Sequence, residues 1–375
     1  MAWEKGDDMI WQPIIPKKIR SRKRQILNTK VRGLQPKKGM KVADLVEGMK
    51  NMSIQARNIG RCAEVIDGIY TERVRPTVLL GLAGPLIAAG LRNVICELIA
   101  GGYVDVVVST GAILYQDIYQ ARGFSHYKGT PFASDADLRD LYIDRIYDTY
   151  VDEEAFWKTD IWIGKQADDL PPGNYSSRQF MHFLGSRLDD PNSIVRTCHK
   201  KKVPMFVPAL NDSSIGIGLT EHRHRMKELG QKGIAIDSIQ DNYELTQLIV
   251  QSPKSAAIYV AGGVPKNYIN DAVVMGYIFK QERGHDYALQ VTTAVTADGG
   301  LSSSTLSEAR SWGKVAKKAR YAMAWVEPSV ALPLLAAYAF DRYPKRKPLK
   351  LTWDGDILKK LEVPKKPKRK KKSKT

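Results

Sequence analysis

The chain has 375 residues, 43% hydrophobic and 26% charged, values that belong to globular proteins and exclude disordered, collagen-like and disulfide-scaffold classes. The formal charge of +18 sits at the ends: residues 1–40 hold a net +8 and residues 342–375 a net +12, leaving 41–341 nearly neutral at −2. No run of 18 apolar residues occurs and the N-terminus lacks the apolar core of a signal peptide, so neither a membrane span nor export is expected, and a cytoplasmic location is.

In chain order, residues 1–40 read as a basic, helical N-terminal extension. From Val42 to Tyr70, Leu45, Val46, Met49, Met52, Ile59, Cys62, Ala63, Ile66 and Ile69 fall largely on a 3.6-residue period, which predicts a packed helix or helix pair. Six short β-rich runs follow, beginning at Val78, Val104, Pro204, Ala257, Tyr287 and Tyr321, and all but the fifth lead directly into helix-like sequence. In the first pair, Gly84-Pro85 opens a helix rich in Ala, Leu and Ile, and Gly101-Gly102 closes it. Runs apolar on both faces belong to strands covered on both sides, so the expected fold is α/β, a doubly wound, mostly parallel sheet with helices on both faces. The stretch from Asp117 to Pro204 shows helix signals, a turn at 171–174 and a helix start at 190–193, and reads as an insertion without strands. Residues 41–341 form one catalytic domain in this reading. Residues 342–375, rich in lysine and broken by prolines, form a largely disordered tail that attracts polyanions such as RNA, or simply confers solubility.

Cys62, Cys96 and Cys198 are odd in number and widely spaced, which suits reduced core residues better than disulfides or zinc. His222 and His224 would share a face on a strand, but no Cys or carboxylate cluster joins them, and no metal is expected.

Ligands in open parallel sheets gather beyond the carboxyl ends of the strands. Those ends hold Gly81 and Gly84; Ser109, Thr110 and Gly111; Pro208, Asn211, Asp212, Ser213 and Ser214; Gly262 and Gly263; Thr292, Thr293 and Ala294; and Glu327. Small residues there allow a cofactor close to the backbone and helix N-termini favour its phosphates, so a dinucleotide would fit. G-x-G-x-x-G is absent, and tight strand-to-helix turns account for the glycines equally simply. The most distinctive stretch is 296–315, a Gly/Ser loop in which Thr305 or Ser307 can cap a helix with Glu308 in its first turn, followed by Trp312 and Lys314. A lysine beside an indole suits amine chemistry: it attacks an imine carbon only as the free amine, a form that burial or cationic neighbours favour. Trp312 can hold a substrate ammonium by cation–π attraction and Glu308 can pair with it. The plain alternative is a core tryptophan and a surface lysine.

Six motifs in order resemble the deoxyhypusine synthase family: Leu80-GLAGPLIAAGLR, Val104-DVVVSTGA, Val203-PMFVPALNDSSIG, Val260-AGGVPKN, His285-DYALQVTTA and Glu308-ARSWGK. The resemblance implies a Rossmann-like domain in a homotetramer with active sites shared between subunits. It implies NAD-dependent oxidation of spermidine, an aminobutyl group held as an imine on Lys314, and its transfer to a lysine of the translation factor 5A precursor. Glu308 and Trp312 then line the polyamine channel, with Gln116, Asn267, Gly299 and Gly300 counted beside them. Asp212 contacts the cofactor ribose, and Gly84, Pro85, Leu86, Ile87, Ala88, Thr110, Gly111, Ala112, Gly263, Thr293, Ala294, Glu327 and Pro328 fall where the family binds NAD. Five acidic or basic positions of the human-type enzyme depart: Tyr115 and Gln116 replace paired glutamates, and Ile217, Asn267 and Leu301 stand for an aspartate, a histidine and an acidic residue. The acceptor is therefore either the protein lysine or a small amine such as putrescine or agmatine. A non-catalytic, RNA-associated paralogue using the basic ends is the reading from a different class, and the joint presence of Glu308, Trp312 and Lys314 argues against it.

Overall fold

The computed structural model describes residues 15–297, 301 and 304–364. All six expected strands form one sheet: β1 Thr77–Leu82, β2 Val106–Ser109, β3 Met205–Phe206, β4 Ser255–Val260, β5 His285–Val291 and β6 Val315–Ala324. Every pairing is parallel, and the order across the sheet is 3-2-1-4-5-6, so the strand order reverses beside β1. That reversal opens the crevice in which α/β sheets bind ligands.

Period-2 alternation sends neighbouring β1 side chains to opposite faces. Val78, Leu80 and Leu82 join a core with Ile59 and Ile66 of helix Ile54–Thr71 and Leu332 and Leu335 of helix Pro328–Arg342. Leu79 joins a second core with Leu245 and Leu248 of helix Ser238–Gln251 and Ile269 and Ala272 of helix Gly263–Val274. Each of these leucines is fully buried, worth about 1.5–3 kcal/mol apiece.

The 42–70 stretch is a helix pair, Val42–Met49 and Ile54–Thr71. The basic helix Lys17–Ile26 buries none of its residues. Gly84-Pro85 does not open a helix. Residues 84–90 form turns, with Gly84 and Gly90 both at positive φ, and the helix starts only at Arg92, whose guanidinium reaches Asp117 at 2.6 Å. The left-handed backbone at Gly90 breaks any helix begun earlier.

The 117–204 insertion does contain strands, contrary to expectation. Tyr127–Lys128, Ile143–Ile146 and Thr149–Asp152 make a small antiparallel sheet, and Gly173–Tyr175 pairs with Ile234–Ile236. Their few residues are mostly half-exposed, so no buried alternation announced them. The helix start at 190–193 is as read: Ser193 caps helix Ile194–Lys201, and buried Asp117 accepts from the Ile194 and Val195 amides at 3.0 Å each.

His222 and His224 lie on helix Ser214–Glu228, not on a strand, so their rings diverge. His222 is buried against Asp168 at 2.7 Å. No metal-binding group of three or more His, Cys, Asp or Glu occurs among the described residues. The three cysteines are free and buried, and burial pushes the Cys62 and Cys96 thiols up to about 12.

Of the tail expected to be disordered, residues 343–362 are ordered, and residues 365–375 lie outside the described residues. Lys350–Asp354 and Ile357–Glu362 form a hairpin that packs Leu358 and Trp353 against the second core. Alternate apolar residues hidden among its lysines give it a buried face. No helix among the described residues is long and apolar enough to cross a membrane.

Candidate functional site

The strand tips are tied edge to edge. Ala83 donates to Val260 at 3.1 Å, Thr110 to Leu82 at 3.1 Å, Ala261 to Val291 at 2.8 Å and Thr292 to Ala324 at 3.0 Å. Gly84 to Ala88, Thr110 to Ala112, Gly263, Thr293 and Ala294, and Glu327 and Pro328 therefore line one edge of the sheet. Asp212 lies exposed in the loop after β3.

A dinucleotide asks two things of this edge, open backbone and donors for its phosphates. A Cβ at Gly84 (φ +86°) would meet nothing closer than Ala261 at 3.8 Å, so the backbone is open to a ligand there. Helices Gly111–Ala121 and Gly263–Val274 begin at the edge and present first-turn amides, a ready anion site. Gly111 is pressed against Ser213, whose hydroxyl would lie 2.2 Å from a Cβ, so the β2 tip and the loop after β3 form one wall. The donor set suits a phosphate-bearing cofactor. Two predicted contacts have other partners: Gln116 accepts from the Ala88 amide at 3.3 Å, and Glu327 caps the final helix through the Ser329 amide at 2.7 Å.

Lys314 stands apart from this edge. It immediately precedes β6, at the amino side of the sheet, and its carbonyl accepts from His285 at 3.0 Å. Its side chain runs back along the face to helix Gly263–Val274. There Nζ lies 3.3 Å from Asp271 and 3.5 Å from the Asn267 carbonyl oxygen. Asn267 in turn donates to Asp271 at 3.2 Å. Lys314 is 8% exposed, although lysines are seldom buried at all. Trp312 is 69% exposed, with its ring centroid 5.7 Å from the Lys314 nitrogen. Glu308 opens a 3-10 turn and is engaged by Thr305, whose amide and hydroxyl donate to it at 2.8 and 2.7 Å and hold its carboxyl below the usual range.

The structure thus joins Lys314, Trp312 and Asn267 into one cluster. Asp271 belongs with them and was missed. The signal was present, since Asn267 and Asp271 are four apart on one helix face. Lys266 was missed with no signal at all. It is fully buried and donates to the Leu301 carbonyl at 3.1 Å and to the Ser304 carbonyl. Burial, then the charge of Lys314, pushes its amine down to about 8. Gly299 and Gly300 lie outside the described residues.

The departures from the human-type pattern are physically distinct. Tyr115 is core, its hydroxyl donating to the Phe156 carbonyl at 2.8 Å. Ile217 is exposed, and Leu301 is buried with its carbonyl on Lys266. Uncharged groups therefore stand at three of the positions where the resemblance would place carboxylates.

The family described as deoxyhypusine synthase matches residues 44–339. The chain belongs to the deoxyhypusine synthase family. It is an enzyme of that transferase family. It is 42% identical over 321 residues to the "Deoxyhypusine synthase-like protein" of Chlorobaculum tepidum, covering 84% of this chain and 88% of that one. It is 39% identical over 325 residues to the "Probable deoxyhypusine synthase 2" of Methanosarcina mazei, covering 85% and 92%. In shape it is similar to the crystal structure of a candidate deoxyhypusine synthase from Entamoeba histolytica, with a TM-score of 0.58 at 19% identity, covering 84% of this chain and 99% of that one. That likeness concerns the fold.

Proposed function

We propose that the protein moves the aminobutyl group of spermidine to an amine acceptor, with Lys314 holding the group in transit as an imine and NAD as the redox cofactor. The observation that supports this most is a buried lysine amine with a carboxylate at 3.3 Å and an indole beside it, in the family's characteristic motif. Bound NAD would supply reversible hydride transfer, taking two electrons from spermidine and returning them to the imine on the acceptor so that the product is an amine. Thr110, Gly111 and Gly263 would hold its phosphates through backbone amides, and Asp212 its ribose.

The protein groups have separable tasks. Asp271 and the face of Trp312 attract an alkylammonium, and Asn267 orients Asp271. The free amine of Lys314 displaces the amine leaving the oxidised spermidine carbon, so one C–N bond breaks as another forms. The acceptor amine then displaces Lys314 in the same manner. Burial excludes water, which would hydrolyse the imine.

The acceptor is a lysine of the translation factor 5A precursor. A small amine such as putrescine or agmatine is the second reading, supported by the apolar Tyr115, Ile217 and Leu301 where a tricationic channel would need carboxylates. The exposed Trp312 and Val295 suit cover by another subunit of a homotetramer, and a cytoplasmic setting suits the reduced cysteines. The basic ends add weak affinity for polyanions.

Incubation of the full chain with NAD, labelled spermidine and either the factor precursor or putrescine tests both readings. Label on the protein acceptor is expected. Label confined to small amines transfers the assignment to the second reading, and borohydride trapping that persists in Lys314→Ala refutes the role of Lys314.

A further inference from the structure

At the opposite corner of the sheet from Lys314 lies a cavity of about 210 Å³ that the transferase chemistry does not use. It opens beside Val203, Pro204 and Met205, where the chain enters β3, on the amino side of the sheet. β3 and β6 are opposite edges five strand spacings apart, roughly 24 Å at ~4.8 Å each. The NAD-facing edge is at the other end of the strands.

The cavity has three kinds of wall. Its floor is apolar, made by Met181, Val195, Cys198 and Met205. One side is the indole of Trp353, delivered by the C-terminal hairpin and fixed by the Arg178 guanidinium stacked 4.0 Å above its centroid. Arg178 is itself neutralised by buried Glu244 at 2.6 and 3.0 Å. The rim is cationic. His182 and His199, from two different helices, have ring centroids 4.4 Å apart, and Lys202 follows at the left-handed residue ending helix Ile194–Lys201. Among the described residues, no carboxylate lines the cavity.

Neutralising a helix C-terminus explains His199 and the neighbouring lysines. It does not explain His182, which comes from helix Ser177–Ser186, nor the hollow between the two. His182 is held below its ordinary range by burial and then by the surrounding cations His199, Arg178 and Lys202. An anion seated among them would reverse that and draw a proton on. A hollow of about 210 Å³ has room for a phosphoryl group with a ring-sized organic part.

We infer that this cavity is a binding site for a small organic phosphate, its apolar part against Trp353 and the floor and its phosphoryl group on His182, His199 and Lys202.

Titration calorimetry on the full chain tests this with phenyl phosphate at pH 6. Benzenesulfonate, whose charge does not change with pH, reads the histidines. Saturable binding of phenyl phosphate is expected, with inorganic phosphate at least about tenfold weaker for lack of the apolar contact. Benzenesulfonate should weaken at least about fivefold from pH 6 to pH 8 as His182 gives up the proton that a bound anion draws on. The double variant His199→Gln, Lys202→Asn should lose binding about tenfold or more with its melting temperature little changed, since Asn tolerates the left-handed backbone at 202. No saturable heat, unaltered binding by the double variant, competition by NAD, equal affinity for inorganic phosphate, or a pH-independent benzenesulfonate constant would each overturn the inference.

Discussion

Replacing Lys266 by methionine probes the most unusual burial in the molecule. The lysine is fully buried, with two backbone carbonyls as acceptors and the ammonium of Lys314 close enough to oppose its own charge. Its amine falls from 10.5 to about 8. At 1.36 kcal/mol per tenfold change in proton affinity, that lowering amounts to about 3 kcal/mol. The sign follows from proton counting. Between pH 8 and 10.5 the folded chain has lost a proton that the unfolded chain still binds, so stability rises with pH in that window. Below pH 8 both states are charged and the folded one carries the full penalty. Methionine binds no proton. Urea unfolding of both proteins at steps from pH 7.5 to 10.5 should therefore show the wild type gaining about 3 kcal/mol on the variant, at no more than about 1.4 kcal/mol per pH unit. The difference at pH 7 alone is a poor guide, because methionine also leaves the Leu301 and Ser304 carbonyls without a donor, at about 1–3 kcal/mol each. Parallel stability curves across the window would refute the buried ammonium.

Three further outcomes follow from other buried groups. Burial and the charge of Glu244 raise the Asp241 carboxyl to about 7, so the folded state keeps a proton there that the unfolded state loses near pH 4. Wild-type stability should fall relative to Asp241→Asn as pH rises from 4 to 7, and a melting-temperature gap constant with pH would contradict this. Arg178→Met strands the buried Glu244 carboxylate and should cost about 3–5 kcal/mol, most of it recovered by adding Glu244→Leu; denaturant midpoints of the single and double variants decide it. Gly102 has φ +70° and its missing Cβ would lie 2.1 Å from the Arg346 carbonyl, so Gly102→Ala should cost at least about 2 kcal/mol and open the 343–349 segment to proteolysis.

The central sheet was legible because its strands are buried on both faces and read as unbroken apolar runs. β6 was read from Tyr321 and begins at Val315, because its first residues, Lys317 and Lys318 among them, belong to an edge strand exposed to water. The C-terminal hairpin also carried a signal. Gly355-Asp356, between Leu351 and Trp353 on one side and Leu358 and Leu361 on the other, is a two-residue hairpin turn flanked by apolar residues, outweighed by the lysine count. Lys314 was legible only through its motif. Lys266 was not, since Pro265-Lys266-Asn267 reads as a solvated helix start until the loop carrying Leu301 closes over it. Contacts made by residues tens of positions apart leave no local trace.

Helix Gly263–Val274 joins the two halves of the site. Gly263 begins it at the strand tips, Asn267 lies one turn further and Asp271 two turns, roughly 6 and 12 Å along at ~1.5 Å per residue. An alkylammonium drawn to Asp271 thus extends from beside Lys314 toward the cofactor edge. This makes Asp271→Asn informative. The carboxylate is about half-exposed, so removing its ion pair with Lys314 should change stability by less than about 1 kcal/mol. If it is also the docking point for substrate, KM for spermidine should rise about tenfold or more, while imine trapping on Lys314 at saturating substrate is retained. A purely structural Asp271 would lower stability and leave KM alone, and that result would remove the helix from the path of the polyamine.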